Sequence, residues 1–168
     1  MTMIHDPTAD YILTYSGRHV SVLDPKPDQI CIDDIAIGLS RKFRFGGQTR
    51  QAMTVAQHSV DVSAMLAGED QEMRLAGLLH DASEAYMSDL PTPYKSNMPG
   101  FRELEDKLMQ TIFFKFKIFT SWKHSKIKLA DQRCFKTESI MLNTDVNIVT
   151  LPNWALANFL QLFHDLTK

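Results

Sequence analysis

The sequence is poor in cysteine, nearly balanced in charge and free of long apolar runs. Its two cysteines, Cys31 and Cys134, cannot form a disulfide framework, so we expect the protein in the reducing cytoplasm. A net charge of −2 offers no electrostatic basis for binding a nucleic-acid polymer or an anionic membrane. No stretch approaches the ~20 apolar residues that cross a bilayer, and we expect no signal peptide. A small anionic ligand is still compatible with this composition, because local positive charge can coexist with a nearly neutral total.

The length and composition predict one globular domain over residues 1–168. A chain of 168 residues, 44% apolar and 23% charged, has enough material for a single core. Residues 1–30 contain a predicted hairpin over 11–23, where β-branched and aromatic residues flank Ser16-Gly17. The proline-rich segment 24–28 is a predicted loop. Residues 31–168 are the predicted helical core, so the expected class is an all-α bundle with a small N-terminal β-hairpin.

Capping residues precede several stretches whose apolar residues have helical spacing. Three prolines predict an irregular loop over 88–99, and a break is expected over 45–49. On the last helix we expect one apolar face formed by Trp154, Ala157, Leu160 and Phe163. The predicted helices run from Asp33 or Asp34 to about 42, from Thr54 to about 66, from Asp70 to near 86, over 101–117, over 127–142 and from Leu151 onward.

The adjacent residues His80 and Asp81 are the most informative pair in the chain. They follow an apolar helical stripe toward the core, where unpaired charge is costly. Imidazole and carboxylate are ligands that suit a divalent cation able to activate water. His58 and Asp131 would complete an H…HD…D set, and its open mixed shell is typical of a catalytic site. Glu84 lies one helical turn beyond His80, on the same predicted face, where it could hold a water molecule.

Each of these residues also has an ordinary interpretation. His58 alone is compatible with a hydrogen-bonded histidine between helices, and Asp131 alone with a surface carboxylate. The remaining histidines lack comparable settings, and we predict that they are surface or packing residues. They are His5, His19, His124 and His164.

The surrounding motifs resemble those of the HD-domain phosphohydrolases. The segments that carry this resemblance are Gln57-His58-Ser59, Leu79-His80-Asp81-Ala82-Ser83-Glu84, Ser88-Asp89-Leu90-Pro91-Thr92-Pro93-Tyr94-Lys95 and Ala130-Asp131. The similar branches are the 5'-deoxynucleotidases and the phage deoxynucleoside triphosphate triphosphohydrolases. The resemblance covers about half of the chain. It implies a helical fold, one divalent metal ion (Zn, Mn, Co or Mg) and hydrolysis of a phosphate ester at the 5' position of a deoxynucleotide, in a bacterial or phage-infected cell.

The resemblance also implies roles for individual residues. The implied metal ligands are His58, His80, Asp81 and Asp131. Glu84 would position water, Asp89 would be a further catalytic carboxylate, and the adjacent Arg44 and Phe45 match an arginine–aromatic pair. From their chemistry, Arg44 and Lys95 could neutralise phosphate and Phe45 could stack on a base. The alternatives are a basic helix end, a solvated lysine and a core aromatic, respectively.

Two reactions compete within this class. A triphosphohydrolase is the leading expectation, because the N-terminal third resembles that of the phage members, and Arg41, Arg44, Arg50 and Lys95 could supply positive charge for a triphosphate. A 5'-deoxynucleotidase acting on monophosphates is the first alternative, and a catalytically silent module that senses nucleotides is the second. We also expect a homo-oligomer, for which the Phe-rich segment 112–119 and the C-terminal helix are candidate surfaces.

Overall fold

The computed structural model describes residues 10–145 and 151–168, so the expectation for His5 lies outside the described residues. Within these ranges the protein is mostly helical and has one two-stranded antiparallel sheet, which confirms the predicted class. The strands are β1 (Tyr11–Leu13) and β2 (His19–Ser21). The helices are α1 (Ile32–Ser40), α2 (Val55–Met65), α3 (Gln71–Leu78), α4 (Glu84–Met87), α5 (Thr92–Asn97), α6 (Phe101–Lys115), α7 (Ser125–Met141) and α8 (Pro152–Leu166).

The hairpin lies where the sequence predicts it, and it is attached to α1 by one carboxylate. Ile12 of β1 pairs with Val20 of β2, and the turn between the strands includes Gly17 at φ 82°. Asp34 accepts hydrogen bonds from the backbone N and the Oγ of Ser16, at 2.8 and 2.7 Å. Because its side chain serves this contact, Asp34 does not cap α1. The helix begins at Ile32, so the predicted capping role of Asp33 or Asp34 was wrong.

The core forms around α2, which packs against α1, α3, α7 and α8. Thr54 and Asp70 cap α2 and α3 as predicted, since each side chain accepts a hydrogen bond from a backbone N–H three residues later. The predicted apolar face of the last helix was partly wrong: Phe163 is buried and Leu160 packs against the core, but Ala157 is exposed. Trp154 is 56% exposed, and α8 instead buries the set Ala155, Phe159, Phe163 and Leu166.

The helix predicted from Asp70 to near residue 86 is broken in the middle. α3 ends at Leu78, and α4 begins only at Glu84. In the intervening turn the Ala82 N–H donates to Leu79 and the Glu84 N–H to Asp81, so the hydrogen bonds join residues three apart. Side chains three residues apart are nearly eclipsed in such a tightened turn. This geometry places Asp81 and Glu84 on the same side of the turn, whereas the sequence predicted that His80 and Glu84 share a helix face.

The segment predicted as an irregular loop over 88–99 contains α5, so that prediction was partly wrong. Pro91 is the N-cap of α5 and Pro93 lies in its first turn. Proline is compatible with these positions because a first-turn N–H has no partner within a helix. None of the described helices is long and apolar enough to cross a membrane.

Candidate metal centre

His58 reaches the centre of the protein on the second turn of α2. Residue Phe43 pairs with Thr54 in an isolated antiparallel bridge, and the Arg44 N–H donates to the Met53 carbonyl at 2.8 Å. This short pairing brings the segment before α2 alongside the start of the helix. As a result, Arg44 and His58 approach the same buried region although 13 residues lie between them in the sequence.

The four predicted ligands converge on one point, and they come from three parts of the fold. The Nε2 atom of His58 lies 3.2 Å from Oδ1 of Asp131 and 3.6 Å from Oδ2 of Asp81. The Nε2 atom of His80 lies 3.2 Å from Oδ2 of Asp81 and 3.9 Å from Oδ1 of Asp131. His58 belongs to α2, His80 and Asp81 to the turn between α3 and α4, and Asp131 to α7. The structure therefore brings together the whole set that the sequence singled out.

The accessibility of these side chains increases from the histidines to the carboxylates. His58 is completely buried and His80 is 7% exposed, whereas Asp81 and Asp131 are 23% and 40% exposed. Within the described residues, the Nε2 atoms of both histidines are buried and have no hydrogen-bond partner of acceptable geometry. Unsatisfied buried nitrogens are costly, and a cation between them and the carboxylates would remove that cost. His58, His80 and Asp81 offer donor atoms close enough to share one ion, so the residues fit a metal.

Each histidine is oriented by a contact at its other ring nitrogen. The Nδ1 of His80 lies 2.8 Å from the Gly77 carbonyl, which requires that nitrogen to be the donor. The Nδ1 of His58 lies 2.6 Å from Oε1 of Glu138. Contacts of this kind orient metal-ligating histidines and leave Nε2 available for the ion.

Glu138 is a buried residue of the site that the sequence analysis missed. Its second oxygen, Oε2, accepts a hydrogen bond from Nε of Arg44 at 3.1 Å, so one carboxylate holds both Arg44 and His58. Seven residues separate Glu138 from Asp131, which is two helical turns, and both residues therefore lie on the same side of α7. That spacing was the available signal, but only the fold shows that this side of α7 faces His58.

The pKa values of the cluster are those of a set of charges that compensate one another. Burial disfavours the charged histidines, but the carboxylates outweigh it and raise the pKa of His58, and that of His80 to about 9. Burial likewise opposes ionisation of Asp81 and Asp131, yet the histidines hold the pKa of each carboxyl below its usual value. A divalent cation can replace the protons that the histidines carry, so metal binding would release protons.

Glu84 lies beside this cluster in a different environment. Its side chain is nearly inaccessible, its Oε1 accepts a hydrogen bond from Nζ of Lys95 at 2.9 Å, and its Oε2 has no partner within the described residues. Burial, followed by the charge of Asp81, raises the pKa of Glu84 to about 8. A carboxyl with this pKa can exchange a proton near neutral pH, which suits a general acid or base.

The backbone at Glu84 is held in place from the side of α1. The Lys42 ammonium donates to the carbonyls of Glu84 and Ala85. Gly38 allows the two helices to approach closely, because a Cβ atom there would come within 2.8 Å of the Ala85 carbonyl oxygen. These contacts fix the position of α4 and of the carboxyl that it carries.

The cluster opens onto a cavity of about 550 Å³, a size that suits a small-molecule ligand. Its lining contains every predicted catalytic and substrate residue together with the two metal-ligand carboxylates. These residues are Arg44, Phe45, Asp81, Glu84, Asp89, Lys95 and Asp131. Asp89 follows Ser88, which has a left-handed backbone at φ 81°, and burial raises the pKa of Asp89.

Phe45 stands at this cavity in an unusual backbone conformation. Its φ of 58° and the positive φ of Gly46 form a left-handed turn directly after Arg44. The Phe45 ring lies 5.3 Å from that of Phe135 on α7, and the Arg44 guanidinium carbon lies 5.5 Å from the Phe45 ring centre. A left-handed backbone is costly for a residue other than glycine, and such conformations are concentrated at functional sites.

Two predicted phosphate ligands lie elsewhere in the structure. Arg41 is stacked over Tyr15 beside a different cavity, and Arg50 forms an exposed ion pair with Asp145 at 2.8 Å. Lys95 does line the main cavity, but its ammonium is already paired with two carboxylates.

The fold and the site together define a helical protein with a candidate metal centre beside a ligand-sized cavity. In an alignment of 175 residues, the chain is 31% identical to the uncharacterized protein YfdR of Escherichia coli strain K12, covering 94% of this chain and 96% of YfdR. It is 42% identical over 108 residues to the uncharacterized protein RCAP_rcc00048 of Rhodobacter capsulatus, covering 60% and 55% of the two chains. No protein-family model matches the chain. The chain therefore belongs to the same family as YfdR.

Proposed function

We propose that the protein is an HD-domain phosphohydrolase that cleaves the 5' phosphate ester of deoxynucleotides. The observation that carries this proposal is the convergence of His58, His80, Asp81 and Asp131 beside a cavity that also contains the buried carboxyl of Glu84. The pattern fits the H…HD…D motif of the family that the sequence resembles. A closed structural metal site would need no such cavity and no unpaired carboxyl oxygen beside the ligands.

The four converging side chains would hold the metal ion. When bound, a divalent ion at this site lowers the pKa of water and offsets negative charge at the attacked phosphorus. In its ionised form, which the Lys95 contact at Oε1 stabilises, Glu84 orients the attacking water and accepts its proton through Oε2, the oxygen that has no partner within the described residues. Asp89, on the same cavity, is the candidate for protonating the leaving 5' oxygen, because burial favours its protonated form.

Arg44 and Phe45 are the candidates for substrate recognition. Glu138 binds Nε of Arg44, and Nη1 lies 4.0 Å from Oδ2 of Asp81, beyond hydrogen-bond distance, so the terminal N–H groups can contact phosphate oxygens. The adjacent Phe45 ring offers a flat apolar surface for the sugar or the base. The preference for a deoxynucleotide is taken from the resemblance to the HD-domain phosphohydrolases.

The charges that line the cavity favour a monophosphate over a triphosphate as substrate. Its cationic residues are Arg44, Lys95 and Lys136, and the first two are already paired with carboxylates. Arg41 and Arg50, which supported a triphosphate in the sequence analysis, lie outside this lining. Four acidic side chains also line the cavity, namely Asp81, Glu84, Asp89 and Asp131. The 5'-deoxynucleotidase reaction therefore becomes the preferred candidate, and the triphosphohydrolase reaction the second.

The experiment that tests this proposal is product analysis by chromatography on a panel of deoxynucleoside mono- and triphosphates, with Mn²⁺, Co²⁺ or Mg²⁺. We expect a deoxynucleoside and inorganic phosphate from the monophosphates. Release of intact triphosphate would instead select the triphosphohydrolase. Absence of turnover, combined with thermal stabilisation by nucleotides, would contradict the enzyme proposal and support a silent sensing module.

A further inference from the structure

Lys95 lies between the carboxylates of Glu84 and Glu105, and these two contacts were not predicted from the sequence. Its Nζ donates to Oε1 of Glu84 at 2.9 Å and to Oε1 of Glu105 at 3.0 Å. The three residues belong to α5, α4 and α6, respectively, so their meeting depends on the packing of three helices. The Lys95 side chain is 19% exposed and that of Glu105 is 23% exposed, which limits screening of this contact by water.

The two carboxylates compete with substrate for the charge of Lys95. Two negative groups already surround one ammonium, so little positive charge is left for a phosphate. Glu105 lies outside the lining of the 550 Å³ cavity and lines an adjoining cavity of about 220 Å³, which shares Asp81, Lys95 and Asp131 with the larger one. Glu105 is therefore placed to act on Lys95 without contacting a ligand in the larger cavity.

The contact also distinguishes the two oxygens of Glu84. Oε1 is bound by Lys95, whereas Oε2 is buried and has no partner among the described residues. We propose that Glu105 is a positioning residue, which holds Lys95 against Oε1 of Glu84 and thereby keeps Oε2 turned toward the reacting water. This inference rests on the proposed phosphohydrolase function, and it assigns Lys95 to the support of Glu84 instead of to phosphate binding.

The first test compares Glu105→Gln with Glu103→Gln, an exposed glutamate on the same helix. Steady-state kinetics on a deoxynucleoside monophosphate should show kcat lowered about 10–100-fold in Glu105→Gln, the range typical of lost supporting contacts, with KM and metal content unchanged. Glu103→Gln should match the wild type. Glu105→Asp, which keeps the charge, should recover part of the rate, whereas a defect in folding alone would not produce this pattern.

The second test removes the ammonium and the carboxyl that it supports. Lys95→Met should also lower kcat without raising KM. In a Glu84→Gln background, Glu105→Gln should cause no further loss, because two residues that act through one group are not additive. A raised KM with unchanged kcat in Lys95→Met would overturn the inference, since it would mean that Lys95 contacts the substrate phosphate.

A third measurement is independent of activity. Acetylation of the metal-free protein, quantified at each lysine by peptide mass spectrometry, should modify Lys95 slowly in the wild type and faster in Glu105→Gln, with Lys126 as the internal reference. Unchanged labelling of Lys95 would overturn the proposed contact. If the wild type has no phosphohydrolase activity, the proposed function fails, and this labelling still decides whether Glu105 holds Lys95.

Discussion

Two buried glutamates beside the candidate metal centre have contrasting hydrogen-bond partners. Glu138, behind His58, has partners for both of its oxygens, the Nδ1 of His58 and the Nε of Arg44. Glu84, on the cavity side, has one oxygen bound by Lys95 and the other without a partner in the described part of the chain. The two side chains are almost equally inaccessible, at 5% and 4% exposure, so burial alone does not distinguish them.

The difference in partners gives the two carboxyls different chemistry. Burial opposes the ionisation of Glu138, but His58 and Arg44 outweigh it and lower the pKa of Glu138 below its usual value. Burial and the charge of Asp81 raise the pKa of Glu84 to about 8, and Lys95 offsets only part of that effect. Pairs of carboxyls with such divergent pKa values mark a division of roles at active sites. We therefore interpret Glu138 as a permanent anion that orients the ligands, and Glu84 as the group that exchanges protons.

The largest effect is expected for Asp81. This predicted metal ligand lies beside His58, which Glu138 orients, and its charge raises the pKa of Glu84. Asp81→Ala removes an anionic metal ligand, and we expect bound metal and turnover to be lost together. Elemental analysis and phosphate release measure the two quantities. Asp10→Ala, at an exposed position before β1, is the control. Full metal content in Asp81→Ala would show that Asp81 is not a metal ligand.

Glu84→Gln tests the proposed proton exchange by Glu84 alone. The amide preserves the shape of the side chain but cannot accept a proton, so kcat should fall about 10²–10⁴-fold while metal stays bound. Kinetics and elemental analysis on the same preparation distinguish this outcome from loss of the ion. A variant with the wild-type rate would reduce Glu84 to a structural residue and abolish the contrast with Glu138.

Glu138→Gln tests the proposed role of Glu138 in orienting the His58 ring. We expect metal affinity to fall about 10–100-fold, because the His58 ring loses the charge that orients it, and saturating metal should restore turnover. Titration of the metal-free variant with Co²⁺ or Mn²⁺ measures the affinity, with Glu103→Gln as the control. If saturating metal leaves the rate of Glu138→Gln as low as that of Glu84→Gln, the two glutamates do not differ in the way proposed.

Phe45→Ala should have the smallest effect on the hydrolytic step, because this residue of the cavity wall is neither a predicted metal ligand nor a proton-exchanging group. Nucleotide binding should weaken by ~1–3 kcal/mol if the ring stacks on the base. Hydrolysis of a small aryl phosphate, which has no base, should be nearly unchanged. Phe119→Ala, at an 88% exposed position, is the control. Equal losses on both substrates would mean that Phe45 supports the fold.

Some predictions remain untested by the structure. The homo-oligomer is one of them. In the candidate segment 112–119, Ile112 and Phe113 are buried in the core, while Phe114 and Phe119 are 76% and 88% exposed. Some apolar side chains of this segment therefore pack in the core, and others lie on the surface. Measuring the molar mass of the protein in solution is the direct test of the oligomer.

Local patterns in the sequence were sufficient for much of the fold. Thr54 and Asp70 cap their helices through their own backbone neighbours, and the hairpin depends on residues within a single short segment. The residue types of the candidate metal centre were also visible, because histidine and aspartate follow apolar helical stripes toward the core and match the H…HD…D pattern of the family that the sequence resembles. Such features depend on short-range geometry, which residue spacing specifies directly.

The tertiary structure decided which charges are free and which are paired. Glu138 meets His58 across 80 residues of sequence, and Lys95 meets Glu84 and Glu105 only because α4, α5 and α6 pack together. Arg41, Arg44 and Arg50 were all possible cations for a triphosphate in the sequence, but of these three only Arg44 lines the cavity. The sequence by itself determined most of the helices, the hairpin and the residue types of the candidate metal centre. Partner choice was decided by the fold, because an ion pair depends on distance and burial, and neither is encoded in the spacing along the chain.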